Sequence, residues 1–446
     1  MTDPDVLVVG GGPAGLAAAA RLADAGLSVL LVELRPSLGG AFHRRPNPGV
    51  VPVPIGRAGE VRWHRLVAGV DRPTIEIRRR SAFLGIDGRG VALIEDRVAS
   101  RVETPRPRAV VIATGAVEIV RPRPGWELPG VVTAGGLQVM MKETGRPPTG
   151  RILVAGNGPL LLAVAGQLAA RGNPPAAIVE AGDPTSPAAA LAGLGLLAHP
   201  RPMIEAAGHM ARILARRVPW RRATEIERIE AVNGGFRVSL RHRGGRCDTL
   251  EVDHVALHDG IRPNGFGLPE PSVETAARPF VVTAGDCREV LGVVAAEIDG
   301  ERAAARVIAA LTGDAVARTA LEAGLGRERR LQAVLARVFA AARPRPAIAD
   351  LPAETVLCRC EGRTLADLKA LLAGDDTPAG REIKLSGRFA MGLCQGRFCA
   401  HAVAEAAAEL RPEAPAPIST DLTGRRWPAR PVAIAALAAT PDTPES

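Results

Sequence analysis

At 446 residues the chain is long enough for two or three domains, and its 47% hydrophobic and 23% charged residues are typical of a folded protein. Arginine carries nearly all of the positive charge behind the net +9, and no long basic run or rich set of aromatic residues is present, which argues against nucleic-acid binding. No unbroken apolar segment reaches about 20 residues, which argues against a membrane span. Because no secretory signal is visible, we expect a cytoplasmic location.

The first 33 residues predict a dinucleotide-binding unit. An apolar strand is followed by three glycines at the G-x-G-x-x-G spacing, an alanine-rich helix, and a second strand that ends in Glu33. The glycines allow a tight turn, close approach of a pyrophosphate and close helix packing, while the acid accepts the ribose hydroxyls. The helix N-terminus adds free N–H groups for the phosphates. The residues predicted to hold the dinucleotide are Gly10, Gly12, Pro13, Ala14, Gly15 and Glu33.

Two later features favour FAD over NAD at this unit. Leu34 and Arg35 follow the acid. A glycine pair shortly after them, Gly39 and Gly40, lets the backbone approach the diphosphate from the other side. The apolar strand at 109–112 then ends in a turn that would touch the cofactor, although a plain strand end is the alternative. That turn consists of Ala113, Thr114 and Gly115.

The stretch 151–180 repeats the opening pattern with one inserted residue, so we predict a second nucleotide domain. Gly156 and Gly158 repeat the glycine turn, but Leu161 stands where the third glycine is expected. Glu180 occupies the ribose position and favours NAD over NADP. A vestigial domain that only packs against the rest is the equal alternative. Residues 203–260 are predicted to be rich in strands.

A further apolar strand before residue 284 is followed by Gly285 and Asp286, which we predict to be the second anchor for FAD. Asp286 would accept hydrogen bonds from the ribityl hydroxyls, and the helix from about 293 to 311 would direct its N-terminus at the flavin. A structural Asp cap is the alternative. The domains predicted from these motifs are a discontinuous FAD-binding domain (1–118 plus 281–315), an inserted NAD(P)-type nucleotide domain (119–280), a helical linker (316–350), a small C-terminal domain (351–411) and a Pro/Ala-rich tail (412–446).

Four cysteines in the small C-terminal domain form the other chemical signal: Cys358, Cys360, Cys394 and Cys399. Four thiolates are what a [2Fe–2S] cluster needs. Structural zinc is the main rival, but zinc knuckles usually use C-x2-C spacing, and disulfides or free thiols are a further alternative. Thr364 and Asp367 have capping-box spacing at the start of a helix between the two cysteine pairs. We place Cys399 in the first turn of the next helix.

With these residues in view, the chain resembles the FAD/NAD(P)-binding, [2Fe–2S]-bearing subunit of heteromeric amine dehydrogenases. That family includes the A (alpha) subunit of opine oxidase, the alpha subunit of D-hydroxyproline dehydrogenase and the B subunit of hydrogen cyanide synthase. The resemblance rests on the opening fingerprint, on blocks at 126–138 and 156–162, on Cys-Arg-Cys-Glu at 358–361 and on Met-Gly-x-Cys-Gln-Gly-Arg-x-Cys at 391–399. The ending at 426–432 also resembles that of the family.

The resemblance implies an α/β flavoprotein with two dinucleotide-binding (Rossmann-like) domains and a small helical C-terminal domain of the bacterioferritin-associated ferredoxin (BFD-like) [2Fe–2S] type. It also implies a partner, a D-amino-acid-oxidase-like flavoprotein beta subunit, and allows for a small ferredoxin-like subunit. This chain would accept electrons from that partner through FAD and the cluster, so no catalytic side chain is predicted. The rival functions are a stand-alone NADH-dependent reductase and a non-catalytic scaffold. Ala41 departs from the family pattern, as does a short segment between Asn264 and Asp286.

Overall fold

The computed structural model describes residues 3–53, 55–274, 277–314, 317–374, 379–424 and 428–439. The chain forms two compact units. The first consists of residues 1–117, 261–330 and 425–446, and the second of residues 118–260 and 331–424. The five-part domain division expected from the sequence stays a prediction. Residues 315 and 316, at one of its boundaries, and Arg426 and Trp427 of the family-like ending lie outside the described residues.

The described chain alternates strands and helices through both units. In chain order the strands are β1 (Val6–Val9), β2 (Val29–Glu33), β3 (Ile75–Arg79), β4 (Ser81–Ile86), β5 (Ala92–Asp96), β6 (Arg101–Glu103), β7 (Ala109–Ile112), β8 (Ala116–Glu118), β9 (Val131–Thr133), β10 (Ile152–Gly156), β11 (Ala177–Glu180), β12 (Trp220–Arg221), β13 (Thr224–Val232), β14 (Gly235–His242), β15 (Cys247–Val252), β16 (His254–His258), β17 (Ile261–Pro263), β18 (Phe280–Thr283), β19 (Val356–Cys358) and β20 (Arg363–Thr364). The α-helices are α1 (Pro13–Asp24), α2 (Arg57–Val70), α3 (Ala134–Thr144), α4 (Pro159–Ala170), α5 (Pro187–Gly193), α6 (Pro200–Ala215), α7 (Val293–Thr312), α8 (Thr319–Val338), α9 (Leu365–Leu372), α10 (Gly380–Leu385), α11 (Ala400–Leu410), α12 (Ser419–Thr423) and α13 (Ile434–Ala438). Short 3-10 helices cover Leu194–Ala198, Gly285–Cys287 and Ile348–Asp350.

The first unit is built on a parallel sheet in the order β18-β7-β1-β2-β3. All residues of β1, β2 and β7 are buried, as expected for parallel strands that are covered on both faces. Helix α1 begins with Pro13 directly after the glycine turn, where the missing proline N–H is harmless. Helix α7 packs so closely on α1 that a side chain at Gly300 would come within 2.1 Å of the Ala14 carbonyl oxygen.

The second unit contains a parallel sheet in the order β12-β11-β10-β16-β9. Its strand order matches that of the first sheet. Strands β10, β11 and β12 correspond to β1, β2 and β3, and β16 corresponds to β7. The duplication expected from residues 151–180 is therefore present in the topology. An antiparallel sheet of β13, β14 and β15 follows.

The prediction that residues 203–260 are rich in strands is wrong for its first part, which forms helix α6. Met203, Met210 and Ile213 recur at helical spacing, and Pro200 stands in the first turn, where proline favours a helix. Ile213 is buried in the core and Met210 packs against it. The remainder of the segment forms the expected strands.

The C-terminal part of the second unit has its own apolar core, which joins residues from Ile348 to Leu422. The predicted capping box is confirmed: Asp367 N–H donates to Thr364 Oγ1 at 3.2 Å, and Thr364 N–H donates to Asp367 Oδ2 at 2.8 Å. Helix α11 begins at Ala400, so Cys399 is its N-cap residue rather than a first-turn residue. Among the described helices, none has the length and apolarity that a membrane crossing requires.

Candidate functional site

The first glycine turn has the close contacts that its spacing predicts. A side chain at Gly10, whose φ is +109°, would come within 2.4 Å of the Ala113 carbonyl oxygen. One at Gly15 would come within 1.9 Å of the Gly10 carbonyl oxygen. Gly10 therefore lets the turn approach the end of β7, and Gly15 lets α1 approach the turn. By contrast, a side chain at Gly12 would meet only ordinary contacts, the nearest of them the Gly40 Cα at 3.6 Å.

Glu33 is the last residue of β2, and backbone N–H groups donate hydrogen bonds to both of its carboxylate oxygens. Its Oε2 accepts from the Gly11 N–H at 2.7 Å, and its Oε1 accepts from the Arg35 N–H at 2.8 Å. The residue is 8% exposed, and each oxygen keeps a second lone pair for a ribose hydroxyl. Leu34 is half-buried and Arg35 is exposed at the start of the following loop.

The glycine pair after β2 lies against the glycine turn. The Gly39 N–H donates to the Gly11 carbonyl oxygen at 2.8 Å, and a side chain at Gly40 would come within 3.1 Å of the Gly12 Cα. The same loop holds His43, which is buried and lies with its ring centroid 5.8 Å from that of Trp63. This position supports a structural role for His43. The glycine pair contacts the glycine turn, and its approach to a diphosphate stays a prediction.

The end of β7 is joined to a residue that the sequence does not single out as a site residue, Asn264. Thr114 Oγ1 donates to the Asn264 carbonyl oxygen at 2.7 Å, and the Asn264 N–H donates to the Gly115 carbonyl oxygen at 3.0 Å. Gly115 has a φ of +72° and open space where a side chain would lie. The buried Cys287 is 3.2 Å from Thr114 Oγ1, and burial raises the pKa of its thiol.

Asp286 caps the loop before α7. Its Oδ1 accepts from the N–H groups of Leu291 and Gly292, both at 3.1 Å. Burial raises the pKa of Asp286, and the nearby charge of Asp299 adds to that rise. Gly285 packs so closely on α1 that a side chain there would meet the Ala14 Cβ at 2.7 Å. The cap supports the structural alternative for Asp286, and its contact with ribityl hydroxyls stays a prediction.

A buried charge cluster that the sequence analysis missed holds this loop in place. Asp299 is 2% exposed, and its Oδ2 accepts from the Gly285 N–H at 2.7 Å. Arg288 and Arg302 both donate to the same carboxylate. Burial opposes ionisation, but these hydrogen bonds outweigh it and lower the pKa of Asp299. The only sequence signal was the Asp–Arg pair at i, i+3 on α7.

The second glycine turn is close to its own sheet, like the first. A side chain at Gly156 would come within 1.8 Å of the His258 carbonyl oxygen, and Gly158 has a φ of +111°. Leu161, in place of the third glycine, is fully buried. Glu180 differs from Glu33 because it is 0% exposed. Its Oε1 accepts from the Gly158 N–H at 2.9 Å, and burial raises its pKa to about 8.

A buried Glu–His pair, also missed as a site feature, lies at the end of β16. His258 Nδ1 is 3.0 Å from Glu118 Oε1, and Glu118 also accepts from the N–H groups of Gly135 and Gly136 at the start of α3. Burial opposes ionisation, yet these bonds and one from Thr133 hold the pKa of Glu118 below its usual range. The pair secures a helix N-terminus, which fits a structural role for His258.

Two pairs of the four C-terminal cysteines are close enough to interact: the Cys399 thiol acts on the pKa of Cys358, and Cys394 acts on that of Cys360. The Cys399 thiol and three backbone N–H groups, of Glu361, Ala390 and Cys360, lower the pKa of Cys358 to about 6 against the effect of burial. The hydrogen bond with Cys358, together with burial, raises the pKa of Cys399, and burial raises that of Cys360. Within the described residues, no group of three or more His, Cys, Asp or Glu side chains is arranged to hold a single metal ion.

Residues 4–296 match the family described as pyridine nucleotide-disulphide oxidoreductase. The A subunit of opine oxidase from Agrobacterium tumefaciens (strain Ach5) is 29% identical, with 98% of this chain and 92% of that protein aligned. The HcnB subunit of hydrogen cyanide synthase from Pseudomonas aeruginosa is 30% identical, with 88% of this chain and 90% of that protein aligned. The chain belongs to the family of these two subunits. It is an FAD-dependent oxidoreductase on a pyridine nucleotide-disulphide oxidoreductase domain.

The fold of this family member is also found among solved structures. L-proline dehydrogenase from P. horikoshii superimposes with a TM-score of 0.65 at 18% identity, over 98% of this chain and 79% of that one. The similarity confirms the α/β Rossmann-like flavoprotein fold expected from the sequence. The resemblance to the opine oxidase and hydrogen cyanide synthase subunits is confirmed as well.

Proposed function

We propose that the chain is the electron-transferring flavoprotein subunit of a multi-subunit amine, opine or D-hydroxyproline-type dehydrogenase. It takes electrons from a substrate-oxidising partner through FAD and passes them on through a [2Fe–2S] cluster. The observation that carries the proposal is the pairing of four cysteines in the same chain as an open dinucleotide cradle. The names of the relatives, which are subunits of opine oxidase and hydrogen cyanide synthase, support a role within a complex.

The residues of the first cradle fit FAD. Glu33 presents its carboxylate for the adenosine ribose, and Gly12 and Gly40 leave the backbone accessible for the diphosphate. The remaining residues of the proposed FAD site are Gly10, Pro13, Ala14, Gly15, Leu34, Arg35, Gly39, Ala113, Thr114, Gly115, Gly285 and Asp286. Bound FAD would supply the redox chemistry, while the protein binds and orients it.

The cysteines fit a binuclear cluster better than a single ion. A zinc ion needs three or four ligands around one point, whereas a [2Fe–2S] cluster has two irons and four thiolates. Two thiol pairs correspond to the [2Fe–2S] cluster, with its two irons and four thiolates. Backbone N–H groups directed at the Cys358 sulfur would stabilise the charge of a cluster, and hydrogen bonds to sulfur also tune its potential. The proposed ligands are Cys358, Cys360, Cys394 and Cys399.

Disulfide reduction, which the family description names, is not the proposed activity. It needs a redox-active cysteine pair beside the flavin, and the sequence has no cysteine before Cys247. A D-amino-acid-oxidase-like flavoprotein is the proposed partner, and a small ferredoxin-like subunit is an additional component. The substrate would then be oxidised on the partner chain.

The test is anaerobic purification followed by measurement of FAD, iron and acid-labile sulfide, with an EPR spectrum after reduction. We expect one FAD, two iron and two sulfide per chain, and a reduced [2Fe–2S] signal. Cys394→Ser should abolish the signal and retain FAD. Cys247→Ser is the matched control, because Cys247 is exposed and outside the quartet, and it should retain both. Zinc without labile sulfide would contradict the cluster and with it the relay.

A further inference from the structure

The second nucleotide domain has the fold and the acid that an NAD site requires, but its ribose position is covered by this chain. A dinucleotide on such a domain places its adenosine ribose against the acid at the end of the second strand, beside the glycine turn. Here that place lies between Asn157 and Ala181. Glu180, the acid, is 0% exposed.

Residues 339–342 follow α8 and form a segment that is tied to both sides of the ribose position, next to Glu180 in sequence on one of them. On one side Asn157 Nδ2, within the glycine turn, donates to the Phe339 carbonyl oxygen at 2.8 Å. On the other side the Ala342 N–H donates to the Ala181 carbonyl oxygen at 2.9 Å, and Ala341 forms an antiparallel bridge with Gly182. A side chain at Gly182 would come within 2.8 Å of the Ala340 carbonyl oxygen, so the segment lies directly on the strand end.

Apolar packing anchors the same segment. Phe339 and Val338 are each 8% exposed and belong to the core cluster that contains Leu161 and Leu162 of α4. Helix α4 is the helix that a dinucleotide's phosphates would approach. Displacing the segment would therefore expose an aromatic side chain as well as break backbone hydrogen bonds.

Glu180 presents no exposed oxygen to a ribose. Its Oε1 accepts from the Gly158 N–H at 2.9 Å, whereas its buried Oε2 makes no hydrogen bond within the described residues. Burial also favours its neutral form. A neutral, covered acid lacks the exposed carboxylate that accepts two ribose hydroxyls in a dinucleotide site.

We infer that the second nucleotide domain is closed to NAD(H) because Phe339–Ala342 occupies the place of the adenosine ribose. The residues that the family resemblance suggests for NAD, Gly156, Gly158 and Glu180, therefore do not fit that group. A cavity of about 670 Å³ does border Gly156, Asn157 and Ala181, on both sides of the segment. Glu180 is not among the described residues that line this cavity, so a ligand bound there would not contact the acid. If the proposed function holds, electrons reach the flavin from the partner chain and not from NADH.

Calorimetry and equilibrium dialysis on the full-length, FAD-loaded chain test the closure, with NAD⁺, NADH and NADPH each raised to about 1 mM, a concentration that reveals even weak sites. We expect no binding that depends on Glu180, so wild type and Glu180→Gln should behave alike. Saturable binding that is equal in both proteins would also contradict the closure, because it would show that the nucleotide binds without the acid. Micromolar binding by wild type that weakens tenfold or more in Glu180→Gln would overturn it.

Hydrogen exchange gives a second readout that does not depend on activity. Asn157→Ala removes one tie of the segment and should speed exchange of the Ala342 N–H. Asn173→Ala is the matched control, because Asn173 Nδ2 donates to the carbonyl oxygens of Pro148 and Gly150 away from the segment. Faster exchange at Ala342 when NADH is added to wild type would show displacement and contradict the closure. Iron content and EPR are unaffected by either result, so they test the proposed function separately.

Discussion

Glu33 accepts a hydrogen bond from the Gly11 N–H at 2.7 Å, which joins the end of β2 to the glycine turn of the first unit. Glu180 in the second unit accepts from the Gly158 N–H at 2.9 Å. The two acids end equivalent strands and both are buried, with 8% of Glu33 and 0% of Glu180 exposed. The duplicated motif therefore keeps its hydrogen bond between acid and turn in both units, and the second unit adds residues 339–342, far away in sequence, beside its acid.

Gly15→Ala should weaken FAD binding at the first cradle. The added Cβ would lie 1.9 Å from the Gly10 carbonyl oxygen, so helix α1 would have to move away from the turn. Such overpacking costs about 1–3 kcal/mol, which predicts a decrease in FAD affinity of roughly tenfold or more. The measurement is FAD retained per chain, with the dissociation constant from fluorescence titration.

Gly88→Ala is the control for this substitution, because a Cβ there meets nothing within 4 Å. It should bind FAD like the wild type. Full FAD occupancy in Gly15→Ala with unchanged affinity would show that the first turn does not hold the cofactor.

Asp299→Asn should destabilise the first unit. The substitution removes the negative charge that the buried guanidinium group of Arg302 and the half-buried one of Arg288 share. Leaving buried charges without a partner costs about 3–5 kcal/mol. Urea denaturation followed by circular dichroism measures the effect. Glu301→Gln on the same helix is the control, since its contact with Arg21 at 3.7 Å is partly exposed and should contribute less than about 1 kcal/mol.

The same carboxylate should give the wild type an acid-sensitive step. The folded state lowers the pKa of Asp299, so its contribution is present above the unfolded value near 3.8 and is lost as pH falls through the folded value. Stability measured from pH 5 downward should therefore fall less steeply in Asp299→Asn than in wild type. Parallel curves would contradict the assignment.

Local sequence patterns were sufficient for the features that depend on neighbouring residues. The two glycine turns, the strands that flank them, and the Thr364–Asp367 capping box all follow from spacing, because their contacts are short-range or repeat a known unit. Helix α6 was not predicted: its apolar positions follow the helical period, but residues 203–260 were predicted to be rich in strands.

Features made by residues distant in sequence could not be predicted. Phe339 reaches Asn157 across 182 residues, and Asn264 reaches Thr114 across 150. The Asp299 cluster forms only when α7 packs on the end of β18. Each depends on tertiary packing, which a residue pattern does not contain. That is why the sequence left the state of the second nucleotide site open.

Gly392→Ala should disrupt the proposed cluster site. An added Cβ would lie 2.2 Å from the Cβ of Cys360, so either the loop or Cys360 would have to move. We expect iron and labile sulfide per chain to fall at least by half, with FAD retained. Gly374→Ala, where a Cβ meets nothing within 4 Å, is the control in the same core region. Normal iron and sulfide in Gly392→Ala would mean that the position of Cys360 does not matter for the metal.

Glu180→Gln should remove a pH dependence of stability. Burial raises the folded-state pKa of Glu180 to about 8 from an ordinary value of 4.5. The folded state therefore keeps a proton that the unfolded state loses, and the stabilising contribution is complete below pH 4.5 and is lost as pH rises toward 8. Over that range the wild type should lose up to about 1.4 kcal/mol per pH unit from this group.

Glutamine keeps an acceptor for the Gly158 N–H and carries no charge, so Glu180→Gln should equal wild type near pH 5 and exceed it in stability near pH 8. Urea denaturation at about pH 5, 6.5 and 8 measures the difference, with the exposed Glu205→Gln as control. The control should follow the wild-type curve. If Glu180→Gln were instead less stable than wild type at the highest pH, the carboxylate would be charged and stabilised in the fold, and the ribose position would be open to solvent or ligand.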